Sequence, residues 1–231
     1  MQAIFQISSL IETQGFAIFP DVVPKAEIAS LLGEIPIEAP QRGRAGMRHA
    51  LGIPAVSTLA RDHKLLCIAK DVLGPAASPF RATLFDKSPQ ANWLIAWHQD
   101  TALPLQEKVA APGWGPWSIK QGVNYAHAPA SALSQILALR VHLDASTEQN
   151  GPLRVLPGTH VMGVLSDEEV SHLAEQRPAV SCLVPQGGVL AMKPLLIHAS
   201  SKSTVDMNRR VLHVEYAAHE ILADGLQLAV G

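Results

Sequence analysis

The chain has 231 residues, 48% hydrophobic and 16% charged, with a net charge of −2. That is enough apolar material for one substantial core, so a single domain over residues 1–231 is expected. The weak charge carries no basic stripe, which argues against a nucleic-acid partner, and no apolar run approaches the about eighteen residues of a membrane span.

Ile4 to Thr13 reads as a helix ended by Gly15, Phe16 to Phe19 as a strand before Pro20, and Lys25 to Leu32 as a second helix. Arg42, Arg44 and Arg48 follow in a glycine-bearing basic loop, QRGRAGMRHALG, where Arg42 and Arg44 have the look of a solvated linker. Ser57 to Leu73 is predicted as one helix: Leu59, Leu65, Ile68, Ala69 and Leu73 lie near one face, and Gly74-Pro75 stops it. The N-terminal residues lack the basic start and apolar run of a secretory signal. Cys67 and Cys182 have no metal-like spacing and read as buried thiols in a reducing cytoplasm.

From Phe80 the texture changes to short strands: Phe80 to Asp86, Ala91 to Trp97, Gln135 to Asp144, Ala179 to Val184, Gly188 to Met192, Leu195 to His198 and Arg209 to Ala217. Turn residues separate them, which predicts a mainly β jelly roll, with helices supplied mostly by the N-terminal third. Ser166 and Glu169 form a capping box that opens one more helix, to about Gln176. Residues 102–134 show no period. They are read either as a lid or wall over the active site or as a loop packed outside the sheet, and Trp114, Trp117 and Tyr125 argue against disorder.

The chemical signal is AWHQD. Residues two apart on a strand share a face, so His98 and Asp100 aim together while Trp97 and Gln99 aim away. One imidazole and one carboxylate make two-thirds of a facial triad, which leaves three positions open on an iron(II) ion. The third ligand must come from another strand. His198, ending KPLLIHAS, is the preferred one; His160 follows a Pro-Gly turn, His142 lies mid-strand near Asp144, and His213 sits on the last strand. Arg209, eleven residues after His198, suits the far carboxylate of 2-oxoglutarate, and Ser200 can add a hydroxyl. Only one of Arg209 and Arg210 can face inward. Arg42, Arg44, Lys87 and Lys120 are open to an anionic substrate or to solvent; Trp93 and Trp97 read as core, and Trp114 and Trp117 as possible pocket walls.

These stretches resemble the phytanoyl-CoA dioxygenase family of iron(II)/2-oxoglutarate oxygenases: LFDKSPQANWLIAWHQD (84–100), LRVHLDASTEQNGPLRVLPGTHVMG (139–163) and GGVLAMKPLLIHASSKSTVDMNRRVLHVEYA (187–217). The resemblance implies a double-stranded β-helix (cupin-like jelly roll), Fe(II) held by His98, Asp100 and His198, and 2-oxoglutarate anchored by Arg209 with Ser200. It also implies a basic residue near the co-substrate at about Arg48, and dioxygen as oxidant. Asp100, where related halogenases carry a small residue, favours hydroxylation of a small-molecule substrate. Two alternatives stay open: a jelly-roll metalloenzyme without 2-oxoglutarate, and a non-catalytic ligand-binding relative.

Overall fold

Alternation along the strands sets the architecture. The computed structural model describes residues 2–36, 42–43, 46–222 and 225–230. In chain order these form α1 (Gln2–Gln14), β1 (Phe16–Phe19), α2 (Lys25–Glu34), β2 (Arg42–Gly43), β3 (Gly46–Met47), α3 (Pro54–Ala60) and α4 (His63–Leu73). There follow β4 (Ser78–Lys87), β5 (Ile95–His98), β6 (Ala102–Leu105), β7 (Trp117–Lys120), β8 (Val123–His127), α5 (Ala130–Leu133), β9 (Ile136–His142) and β10 (Leu153–Val155). The chain continues with α6 (Asp167–Gln176), β11 (Val180–Cys182), β12 (Val189–Met192), β13 (His198–Ser200) and β14 (Arg209–Ala217).

Strands β1-β12-β9-β14-β4-β3-β2 make the major sheet, β11-β10-β13-β5 the minor one, and β6-β8-β7 a third. Leu84, Leu139, Val141, Leu212 and Val214 project from one face of the major sheet into an apolar layer with Ile28, Leu59, Leu65 and Ile68 of the N-terminal helices. Tyr216 is buried in that layer and its hydroxyl donates to the Ala60 carbonyl at 2.7 Å, tying the end of α3 to the sheet. From the opposite face Ala138, Leu190 and Met192 meet Leu153, Val155 and Cys182 of the minor sheet. This is the double-stranded β-helix that was expected, and no helix among the described residues is long and apolar enough to cross a membrane.

Several boundaries differ from expectation. The helix predicted over Ser57 to Leu73 is two helices. Asp62 takes an extended conformation and its carboxylate accepts from the Lys64 N–H at 2.8 Å, so a new N-cap overrides the apolar periodicity. The strand predicted from Ala91 begins at Ile95: Ala91 closes a local bridge with Ser88, and Asn92 is held by both backbone groups of Ser203. The one predicted over Leu195 to His198 pairs over His198–Ser200, since a turn closes from the Leu196 N–H to the Lys193 carbonyl. The capping box at Ser166 is present. Residues 102–134 hold the third sheet and α5; their apolar side, with Leu103, Leu105, Trp114 and Ala126, packs against Leu222, Leu226 and Leu228.

Candidate metal centre

Strands β5 and β13 pair antiparallel with His98 opposite His198, and a β-bulge follows within two residues. The ring centroids are 4.2 Å apart. A carbonyl only accepts, so each Nδ1 carries the proton: His98 donates to Ala96 O at 2.9 Å and His198 to Leu196 O at 2.8 Å. Both Nε2 lone pairs are therefore free to bind a metal. Strand β5 ends at His98, and Asp100 is held beyond it by its own N–H, which donates to Pro194 O at 2.9 Å. Gln99 points away, as expected, and clamps the segment: its amide donates to the Gly163 and Leu195 carbonyls and accepts from the Leu165 N–H.

The Asp100 carboxylate then lies 3.7 Å from His98 Nε2 and 3.5 Å from His198 Nε2. All three donors fall within 4.8 Å of one another, the one such group of His, Cys, Asp and Glu among the described residues. Bonds of ~2.1 Å at right angles would bring cis ligands to roughly 3 Å, so small side-chain shifts close the set around an ion. Burial lowers His198 to about 4 against the pull of Asp100, which keeps the imidazole neutral. Burial alone would raise Asp100, but His198, His213, His98 and Arg81 outweigh it and hold the carboxyl near 2. Two imidazoles and one carboxylate fit an iron(II) site.

The rival histidines are committed elsewhere. His142 Nδ1 lies 3.1 Å from the Ser146 hydroxyl, and Asp144 is taken by Arg210. His160 Nε2 donates to Glu12 O, and His213 Nδ1 accepts from Arg140 Nη1 at 2.9 Å.

Arg209 and Arg210 separate cleanly. Arg210 lies on the half-exposed side and grips Asp144 with two contacts of 2.7 and 2.8 Å. Arg209 turns inward and is 4% exposed; its Nη2 donates to Ser200 Oγ at 3.3 Å, while Nε and Nη1 have no hydrogen-bond partner among the described residues. Lys87, directly across in β4, is 1% exposed and not solvated. Its ammonium donates to Ser200 Oγ at 3.0 Å and to the Ser201 carbonyl. Ser200 donates onward to Gly151 O. Gly151 is needed there: at φ +67° a Cβ would stand 2.3 Å from Ser201 O. Two buried cations thus converge on one hydroxyl with no carboxylate among the described residues to neutralise them. Burial and then Arg209 lower Lys87 to about 8; burial and then Arg140 lower Arg209 to about 10.

A cavity of about 530 Å³ opens on Asp100, lined among others by Arg48, Arg81, Lys120, Tyr125, His213 and Glu215. The third sheet thus supplies one wall of the site as well as packing on its own core. Arg81 and Glu215 form a close bidentate pair at its base. Arg44 lies outside the described residues, and of Arg42 only the backbone is described. Trp93 and Trp97 are half-buried: Lys87 lies over the first ring, while Trp97 packs against the apolar cluster of Leu156, Val170 and Ile197 with Arg154 over its ring. Trp114 and Trp117 belong to the apolar cluster of the third sheet and do not line this cavity. Cys182 is buried but Cys67 is only partly so, with Sγ 3.2 Å from His63 Nε2.

The sequence reading missed the inward roles of Lys87, Arg140 and the Arg81–Glu215 pair. Each occupies an alternate position on a strand with apolar neighbours, a pattern that a solvent-facing residue shares.

Comparison with known proteins agrees with this arrangement. The family model described as phytanoyl-CoA dioxygenase (PhyH) matches residues 11–211. An L-proline trans-4-hydroxylase of Streptomyces griseoviridis is 25% identical over 186 residues, covering 68% of this chain. The chain spans 61% of that relative's length. Among solved structures, the non-haem α-ketoglutarate-dependent epimerase SnoN of nogalamycin biosynthesis superposes with a TM-score of 0.70 at 17% identity, over 94% of this chain and 81% of its own. EctD from S. alaskensis, solved with 2-oxoglutarate and 5-hydroxyectoine, gives 0.69 at 19% identity, over 92% and 75%. At these identities the structural likeness establishes the fold.

Proposed function

The chain belongs to the phytanoyl-CoA dioxygenase family, and we propose that it is an iron(II)- and 2-oxoglutarate-dependent oxygenase that hydroxylates an aliphatic carbon of a small molecule. The observation that carries this reading is the convergence of two neutral imidazoles, each fixed through Nδ1, on one ionised carboxylate. The hydroxylase name of the Streptomyces relative supports the reaction type. Unpaired Cys67 and Cys182 support a cytoplasmic setting.

When bound, iron(II) with 2-oxoglutarate and dioxygen supplies the oxidising power: a C–H bond becomes C–OH while 2-oxoglutarate becomes succinate and carbon dioxide. The protein holds and orients these groups. His98, Asp100 and His198 take three metal positions and leave three. Arg209 would take the far carboxylate of the co-substrate, for which its Nε and Nη1 are buried donors, and Ser200 would join it by turning its hydroxyl from the Gly151 carbonyl. Lys87 adds charge beside them and fixes the Ser200 hydroxyl. Asp100, a full carboxylate, occupies the position that halide would need, so hydroxylation is favoured over halogenation.

Anaerobic addition of iron(II), followed by 2-oxoglutarate and then air, tests this. One iron per chain and iron-dependent succinate release are expected. Asp100→Ala is expected to reduce both by more than roughly a hundredfold, since even residues that only orient metal ligands cost ten- to a hundredfold. Unchanged iron content and turnover in that variant would remove the assignment.

A further inference from the structure

The charges lining the cavity beside Asp100 do not cancel. Three cations, Arg48, Arg81 and Lys120, face two carboxylates, Asp100 and Glu215. Arg81 and Glu215 neutralise each other through their bidentate contact. Under the oxygenase reading a divalent iron would be balanced by Asp100 and the near carboxylate of 2-oxoglutarate, and the far carboxylate by Arg209. Arg48 and Lys120 are left, and neither has a carboxylate partner among the described residues.

These two residues come from unrelated parts of the chain. Arg48 follows β3, and Lys120 ends β7. The Lys120 ammonium lies 4.9 Å over the ring centroid of buried Tyr125, whose ring also faces Arg81 at 5.6 Å. The aromatic face thus fixes where the ammonium stands. Burial first, then Arg48 and Arg81, lower the pKa of Lys120, so the three cations lie within electrostatic reach of one another. The chain turns directly after each cation: Gln121-Gly122, both at positive φ, make the two-residue turn between β7 and β8, and His49 (φ 56°) caps the short helical turn Ala50–Gly52. Lys120 is half-buried and Arg48 exposed, so the cavity they share stays open to solvent on the Arg48 side.

We infer that Arg48 and Lys120 form an anion clamp that holds a carboxylate of the substrate at the cavity opening on Asp100. The inference rests on the oxygenase reading and names the substrate class it leaves open: small organic acids. It moves Arg48 from the co-substrate, where family resemblance put it, to the substrate. A cavity of about 530 Å³ suits an acid of modest size. Glu215 is occupied by Arg81, so no free carboxylate waits for an ammonium, and a plain acid should bind as well as an amino acid.

Calorimetric titration with benzoate, cyclohexanecarboxylate and L-proline, each against its primary amide, reads the head group. At least one acid is expected to bind roughly tenfold or more tightly than its amide, as charge-assisted hydrogen bonds allow. Arg48→Gln and Lys120→Gln should each remove most of that preference, and Arg209→Gln should keep it. Equal or absent binding across all three pairs overturns the inference, as does a preference that survives the Arg48→Gln, Lys120→Gln double variant. A preference abolished by Arg209→Gln alone also overturns it, since the acid then sits with the co-substrate. Succinate release by the unaltered protein without added acid is measured in parallel. Its absence sinks the oxygenase reading whatever the titrations give; its presence without any acid preference sinks only the clamp.

Discussion

Neighbouring residues in β4, β9 and β14 meet opposite surroundings. Ala82, Leu84, Leu139, Val141, Leu212 and Val214 turn toward the N-terminal helices and join an apolar layer. Arg81, Lys87, Arg140, His142, Arg209, His213 and Glu215 occupy the alternate positions on the same strands. They are just as enclosed: Arg140, His142, His213 and Glu215 are all buried. One side is a packing face throughout; the other packs on the minor sheet through Ala138 and gathers ionisable groups beside it. Burying a charge destabilises the fold unless it is paired. Arg81 with Glu215 meets that condition, whereas Arg140 has a hydrogen bond to the neutral His213 but no counter-charge from it. Lys87 and Arg209 share a hydroxyl and do not meet it either. The faces thus differ in what completes them: the apolar face is finished by the chain's own helices, whereas the other is covered in part by the minor sheet and leaves Lys87 and Arg209 for a ligand to neutralise under the proposed function.

The strongest way to break this comparison is Arg209→Gln. If the charged face awaits an anion, the variant should bind 2-oxoglutarate roughly tenfold to a hundredfold more weakly, the range of a lost charge-assisted contact. Its melting temperature should hold or rise, because an unneutralised buried cation has been removed. Equal 2-oxoglutarate affinity, together with a large fall in melting temperature, would make Arg209 a structural residue and the two faces alike in kind.

How much of this was legible beforehand follows from the same alternation. The strand AWHQD gave His98 and Asp100 because period two needs no partner to be read. Arg209 followed from chemical need, and the fold class from short strands with turn residues between them. Lys87, Arg140 and Glu215 escaped because a polar residue at alternate strand positions normally faces solvent. Local pattern cannot tell a wet surface from an enclosed polar cavity; that distinction appears only when the second sheet is laid over the first. The third sheet escaped for another reason. Its β7–β8 connection carries Gln121-Gly122, but β6, with Pro104 within it, and β7 are four residues each, too short for periodicity to register.

A moderate effect is expected in acid. Burial, with Arg140 and Arg209 adding to it, puts His142 well below its ordinary value, so the folded protein keeps it neutral. The unfolded chain binds a proton near 6.5 that the folded one refuses, and stability is therefore lost as pH falls from about 6.5 toward the folded value. His142→Phe removes this one titration. Compared by urea unfolding without metal, the unaltered protein should lose more stability than the variant between pH 7 and pH 5, by at most about 2 kcal/mol. Parallel losses would mean that His142 is protonated in the folded state, and that the charged face is wetter than the apolar one.

The smallest effect should come from the residue beside the largest. Arg210 is one position from Arg209 and carries the same group, but points the other way. Its guanidinium pairs with Asp144, at 30% and 20% side-chain exposure, where water screens the attraction. Such a pair contributes about 0–1 kcal/mol. Arg210→Ala should therefore lower stability by no more than about 1 kcal/mol and leave 2-oxoglutarate affinity unchanged. The backbone N–H of Arg210 also donates to Asp144 Oδ2 at 2.8 Å and survives the change, which further limits the loss. Were Arg210→Ala to weaken 2-oxoglutarate binding as much as Arg209→Gln, the effect could not come from a direct contact. It would have to pass through β14 itself, and the side on which a residue lies would no longer decide what it does.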